Sequence, residues 1–229
     1  MEVFRFVLSL LEAARLVKGK TIAVDATTLE ANAAMRSIVR RDTGEAWDAY
    51  IRRLAEEEGI EKPADEDAKR LDRKWKKRVS NREWVSKTDP SARIMRMKDG
   101  RTHLAYKEEH AVDLETDAVV AVKVLPADQG DADELLGCAV QAELELADAG
   151  HEGSIQEVVT DRGYHKAETL ADCAQAGVRT YIPERKQRGK RTWTEKPETW
   201  WRAFFANRRR VKGRRGGDTV PVRHRSGHR

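Results

Sequence analysis

Two short β-branched runs, each leading into an aspartate, constrain this chain most. Thr21-Ile22-Ala23-Val24 runs into Asp25. Ile155-Gln156-Glu157-Val158-Val159-Thr160 runs into Asp161, followed by Arg162, Gly163 and Tyr164. β-Branched side chains are stiff at χ1 and pack well on a pleated surface, so both runs read as strands closed by an acid. In α/β sheets, sites gather at strand ends. Carboxylates there can converge on a hard cation such as Mg²⁺, which takes one or two protein carboxylates plus phosphate oxygens. Two such ions can activate an attacking hydroxyl and stabilise the leaving oxygen of a phosphodiester. A lone aspartate at a strand end is more often a cap or turn residue. The matched pair strengthens the catalytic reading, and spacing alone does not settle it.

The rest of the chain supplies elements for such a sheet. Residues 2–17 repeat Val3, Val7, Leu10, Ala14 and Val17 at helical spacing, with Gly19 as the expected stop. Two exposed helices are expected over about 46–58 and 65–80 in dense charge, separated by Pro63 and too poor in apolar residues for a full core face. Ile94–Met97, the Asp99-Gly100 turn and Thr102–Leu114 read as hairpin strands, and Ala118–Val124 as a fully buried strand. Residues 131–149 read as a helix with Leu135, Leu136, Ala139, Val140 and Leu144 on one face. A helix over 165–176 and the strand Arg179–Pro183 follow. Strands first, then alternating strand and helix, predict a mixed α/β sheet with helices on its faces.

Charge adds a partner. Residues 185–229 hold 16 Lys/Arg against three acids, a net of +13, whereas the first 184 residues carry −8. A basic end on an acidic body suits a polyanion. Arg162, Arg208, Arg209, Arg210 and Lys212 are the phosphate candidates. Trp200, Trp201, Phe204 and Phe205 beside them suit either stacking on unpaired bases or core packing. The basic stretch Arg70–Arg78 could clamp DNA or be a solvated face. The longest apolar run, Phe6–Leu11, falls far short of the about 20 residues a membrane span needs. Glu2, Glu12 and Arg15 argue against a signal peptide. Cys138 and Cys173 stand far apart without a CxxC, which fits a reducing compartment and excludes a cysteine zinc site. The expected location is cytoplasmic, on the nucleoid.

The segments Val24–Gly44, Asp89–Thr116, Ala127–Asp131 (ADQGD), Val158–His165 (VVTDRGYH) and Ala206–Gly213 (ANRRRVKG) resemble, in order, segments of DDE-type insertion-sequence transposases. The likeness runs through roughly residues 2–213. It implies an RNase H-like fold with flanking helices and a charged helical insertion over 45–88. It implies a catalytic domain over 21–205, a remnant helix of an N-terminal domain over 1–20 and a disordered basic tail over 206–229. Asp25 and Asp161 would then be catalytic and bind Mg²⁺ or Mn²⁺. The implied reaction is metal-dependent cleavage at transposon ends followed by strand transfer to target DNA. DNA is the implied partner, with a homodimer or a full-length transposase chain as a further one.

The departures matter. The family places its third acid, a Glu, on a helix beyond the NRRR segment, in a motif resembling Y-x2-R-x3-E. Here RRGGDTVPVRHRSGHR follows Gly213, with no Glu and no helical period. Both ends therefore read as truncated and the activity as impaired. Glu184, Glu195 and Glu198 are substitutes that sit in no matching motif. Asp128 and Asp131 offer a further carboxylate pair, but Asp131 reads better as a helix cap. His224 and His228 lack a cysteine pair for zinc. His110 and His165 could face DNA, though polar packing is commoner. The alternative functions are a non-catalytic DNA-binding inhibitor and an inactive remnant.

Overall fold

The computed structural model describes residues 2–57, 59–60, 79–186 and 191–213. The expected helix over 65–80, the basic stretch Arg70–Arg78, His224, His228 and the chain beyond Gly213 lie wholly or almost wholly outside these residues. The fold is mixed α/β. Six strands form one sheet in the order β4-β5-β1-β7-β8 with β6 on β5: β1 (Thr21–Glu30), β4 (Arg93–Arg96), β5 (Thr102–Asp113), β6 (Val119–Pro126), β7 (Glu157–Thr160) and β8 (Arg179–Tyr181). β1, β7 and β8 run parallel, and β4 is antiparallel to β5. β2 (Ile38–Arg40) and β3 (Trp84–Ser86) form a second, two-stranded sheet. The helices are α1 (Glu2–Ala13), α2 (Trp47–Glu57), α3 (Asp131–Asp148), α4 (Ala167–Gln175) and α5 (Glu198–Lys212). Among the described residues no helix is long and apolar enough to cross a membrane.

The chain divides into two compact units. The first holds residues 1–26, 108–123 and 130–229. Its core gathers Leu8, Ile22, Val24, Ala111, Val120, Leu135, Leu146, Val158, Leu170, Ile182 and Phe204. Burying each large aliphatic side chain contributes about 1.5–3 kcal/mol. A buried polar row crosses three strands at their start. Glu157, 1% exposed, accepts from the Thr21 hydroxyl at 3.0 Å and the Tyr181 hydroxyl at 3.3 Å and pairs with Arg179 at 3.0 Å. Thr21, Glu157 and Arg179 share one register line, with Tyr181 two residues further along β8, so their contacts tie the alignment of β1, β7 and β8.

Several expectations change here. α1 stops at Ala13, not near Gly19. Arg15 takes a left-handed φ of 59°, the Arg15 N–H donates to the Glu12 carbonyl and the Leu16 N–H to the Leu11 carbonyl. That is the paired 6→1 and 5→2 closure of a helix end, made by an arginine where glycine is commoner. α3 buries Ala132, Leu135, Cys138, Ala139, Ala142 and Leu146 and leaves Val140 and Leu144 exposed. Of the expected face, Leu135 and Ala139 are buried and Leu136 packs against the core; Val140 and Leu144 are not part of it. β6 is buried at Val120 and Ala121, but Val124 is 61% exposed, so the strand is not buried throughout. α5 continues through Lys212, so Ala206–Lys212 is helix rather than tail.

The second unit holds residues 27–107 and 124–129. Ile38, Trp84, Ala92, Ile94 and Leu104 form its core. α2 buries Ile51, Leu54 and Ala55 and so is packed, not exposed as its charge suggested. Trp47 and Tyr50 each meet Trp84 edge-on at 5.0 Å between ring centroids, a geometry that adds about 0.5–1.5 kcal/mol per pair. Gly100, at φ 81°, supplies the left-handed turn residue of the β4–β5 hairpin.

Candidate functional site

Asp25 and Asp161 stand where the parallel pairing of β1 and β7 ends. The last registered pair of β1 and β7 is Val24↔Thr160, and each aspartate is the next residue. β1 itself continues to Glu30, so Asp25 lies within a strand rather than closing one; its β7 partner is what ends there. Both aspartates are exposed. One Asp25 oxygen accepts the Ala26 N–H at 2.9 Å. Asp161 caps a one-turn 3₁₀ helix, Arg162–Tyr164, and its Oδ1 accepts the Gly163 N–H at 2.5 Å. Capping holds the Asp161 carboxylate in one orientation.

A third acid reaches this loop. Gly130, not Asp131, occupies the cap position of α3, and Asp131 is its first helical residue. A Cβ built on Gly163 would stand 2.6 Å from Asp161 Oδ1 and 3.3 Å from Asp131 Oδ2. The two carboxylates therefore face one point, and only a residue without a side chain leaves it open. Gly163→Ala is expected to cost about 1–3 kcal/mol through overpacking, read as a lowered melting temperature. An unchanged melt would show that the loop yields freely.

The loop is braced from behind. Arg185 donates from Nε to the Arg162 carbonyl at 2.9 Å and from Nη2 to the Gly163 carbonyl. No sequence motif marked Arg185. Tyr164 is 1% exposed, and its hydroxyl has no hydrogen-bond partner among the described residues. Burial, then the charges of Glu109, Asp131 and Asp25, push its ionisation far above the usual tyrosine range. It stays a neutral donor at any physiological pH.

His165 is buried, and its Nε2 has no hydrogen-bond partner among the described residues. Burial lowers its pKa, partly opposed by Glu184. The imidazole thus folds neutral, and the unfolded state takes up the proton more readily. Its share of stability is complete above the unfolded value of about 6.5 and falls as pH drops below that. His165→Phe is expected to flatten the loss of melting temperature between about pH 7 and pH 5. An equally steep loss in the variant would assign it to other groups. His110, by contrast, pairs with Glu108 at 3.0 Å.

The basic candidates separate. Arg162, Arg209 and Lys212 are exposed. Arg208 is committed to Glu184, with one contact of 2.7 Å, and lies 4.8 Å from the Phe204 ring centroid. Arg210 is half-buried and donates to the Thr180 carbonyl at 3.0 Å and its hydroxyl at 3.2 Å. Glu184, one proposed substitute acid, is held by that Arg208 contact, which lowers its pKa. Glu198 pairs with Arg202 at 2.5 Å. Of the four aromatics, Phe204 is buried, Trp200 and Phe205 pack against the core and Trp201 is 37% exposed.

Two aspartates that follow one registered strand pair are the residue type that suits an ion such as Mg²⁺, which keeps much of its water. Among the described residues no three His, Cys, Asp or Glu side chains are grouped to hold a metal ion. Comparison of the chain with protein-family models, with curated proteins and with solved structures returns no match.

Proposed function

We propose that the chain is a DDE-type transposase catalytic domain of RNase H-like fold, acting on DNA. The observation that supports this best is that Asp25 and Asp161 are each the next residue after the last registered pair of the adjacent parallel strands β1 and β7, Val24↔Thr160. In this reading the two carboxylates hold Mg²⁺ or Mn²⁺, which supplies Lewis-acid stabilisation of the phosphodiester oxygens. Asp161, fixed by the Gly163 N–H, holds its oxygens in place; Arg162 beside it offers a phosphate contact. Arg209 and Lys212, exposed near the end of α5, supply electrostatic attachment to the DNA backbone. In this reading the segment after Asn207-Arg208-Arg209-Arg210 does not carry the family's Glu motif, and the reaction is slow for that reason. Small misplacements of reacting groups cost large factors in rate.

The test is nicking of a supercoiled plasmid carrying the DNA that flanks the gene. The expected result is slow nicking that needs Mg²⁺ or Mn²⁺, stops with EDTA and falls at least about 100-fold in Asp25→Asn and Asp161→Asn. Nicking that both variants retain would sink the catalytic reading. The second reading, a non-catalytic DNA-binding inhibitor, is favoured by the lack of a three-acid group among the described residues. Salt-sensitive DNA binding without any nicking would select it.

A further inference from the structure

We propose that a cavity in the second unit binds a small aromatic anion of mononucleotide size, its ring against Met35, Trp47 and Met95 and its charged group on Arg36 and Arg96. The cavity holds about 760 Å³. Small-molecule sites run from about 300 to 1,000 Å³. Its lining residues all belong to this one unit. They include two arginines and no carboxylate. Elsewhere in the unit arginines are spent on acids. Arg40 meets Asp42 at 2.7 Å, Arg53 meets Glu57 at 2.8 Å and Arg93 reaches Asp128 at 3.8 Å. Arg36 and Arg96 are exposed and have no acid partner among the described residues. Both line the same cavity. A guanidinium pair without carboxylates selects a phosphate or carboxylate group.

The surrounding backbone fixes where these side chains start. Arg36 sits on the one-turn 3₁₀ helix Met35–Ser37. That turn is closed by the Ser37 N–H and the Ser37 hydroxyl, which donate to the Ala34 carbonyl at 2.9 and 2.7 Å. Arg96 pairs across the β4–β5 hairpin with Thr102, which also lines the cavity. Its Nε donates to the Gly100 carbonyl at 3.2 Å, which leaves the two terminal nitrogens for a ligand. Trp47 is held by Trp84, edge-on at 5.0 Å, and by Tyr50 at 6.0 Å between centroids. A ring positioned before binding loses little freedom on binding. Met35 and Met95 are half-buried, and their flexible thioethers adapt to a flat ring. The apolar wall alone would take any hydrophobe, and the arginines alone any anion. Together they ask for both in one molecule. This holds whether or not Asp25 and Asp161 bind a cation.

The test is a ligand-observed NMR titration of the full chain with deoxyadenosine monophosphate, which carries ring and phosphate together. Deoxyadenosine, the ring without the charge, and inorganic phosphate, the charge without the ring, are titrated beside it. The nucleotide is expected to bind in the millimolar range or tighter, and the two halves each at least about tenfold more weakly. Arg36→Ala and Arg96→Ala, both at exposed positions, are expected to melt normally and to weaken the nucleotide at least about fivefold each. Arg101→Ala, outside the cavity, and the double variant Arg209→Ala with Lys212→Ala are expected to leave binding unchanged. If Arg96→Ala melts early, Arg36→Ala alone decides. A nucleotide that does not bind, or binding that the arginine variants retain, would overturn the proposal. Binding of an oligodeoxyadenylate strand through Arg36 and Arg96, with none of the mononucleotide, would also overturn it and assign the two arginines to a DNA backbone. None of these results bears on plasmid nicking by Asp25→Asn, so this proposal and the catalytic reading fail separately.

Discussion

Replacing Asp113 with alanine will lower the unfolding free energy by about 3–5 kcal/mol, the largest loss expected from any single polar side chain here. Asp113 is fully buried at the end of β5. Its Oδ2 accepts the Lys18 N–H at 2.5 Å and the Gly19 N–H at 2.9 Å, and its Oδ1 accepts the Glu115 N–H at 2.9 Å. Alanine removes the acceptor of three backbone donors at once, one of the bonds buried and two partly buried, and a buried orphan costs about 1–3 kcal/mol. The damage is local to what positions the site. Lys18 and Gly19 lead directly into β1, and the Leu114 N–H donates to the Thr21 carbonyl at 3.0 Å. Four residues later the strand presents Asp25. Urea denaturation should show the midpoint falling with an unchanged slope. A loss below about 1 kcal/mol would mean that water replaces the carboxylate and that the turn is not held by it.

Asp113 also shows where reading the sequence stops. The strands TIAV and EVVT were legible because they are rich in β-branched residues, and the aspartates after them followed at once. What Asp113 does was not, because its partners are backbone amides 94 and 95 residues away. Backbone donors have no sequence signature. Asp131 was read as a cap because its position before an apolar helical run suits one, yet Gly130 holds that place. The difference is one residue, below what periodicity resolves. α3's buried face was misread for another reason. Leu135 and Ala139 are buried as expected, but size ranks Leu144 and Val140 above Ala132 and Ala142, and the helix buries the small pair instead. The arginines of the NRRR segment were read from charge alone. Charge does not distinguish a guanidinium facing solvent from one spent on its own fold, as Arg208 and Arg210 are.

That distinction gives the second large effect. Asn207, fully buried on α5, accepts the Ile182 N–H through Oδ1 at 3.0 Å and donates from Nδ2 to the Ile182 carbonyl at 2.8 Å. Ile182 directly follows β8, so the amide completes the edge of the sheet as a further strand would. Asn207→Ala leaves both an N–H and a C=O unpaired in the core. The expected cost is about 2–4 kcal/mol, seen as a lower thermal midpoint. Asn207→Asp should cost a similar amount, since a carboxylate accepts from the N–H but cannot donate to the carbonyl. The neighbouring basic residues divide along the same line. Arg210→Ala loses two hydrogen bonds to Thr180 and should melt early. The pair Arg209→Ala and Lys212→Ala touches no such contact and should melt normally. In the DNA-binding reading, that pair should instead reduce the salt dependence of DNA affinity by about two units of slope. An early melt in that pair, or an unchanged slope, would remove this end of α5 from the DNA contact and leave Asn207 as the only reason the segment reads as it does.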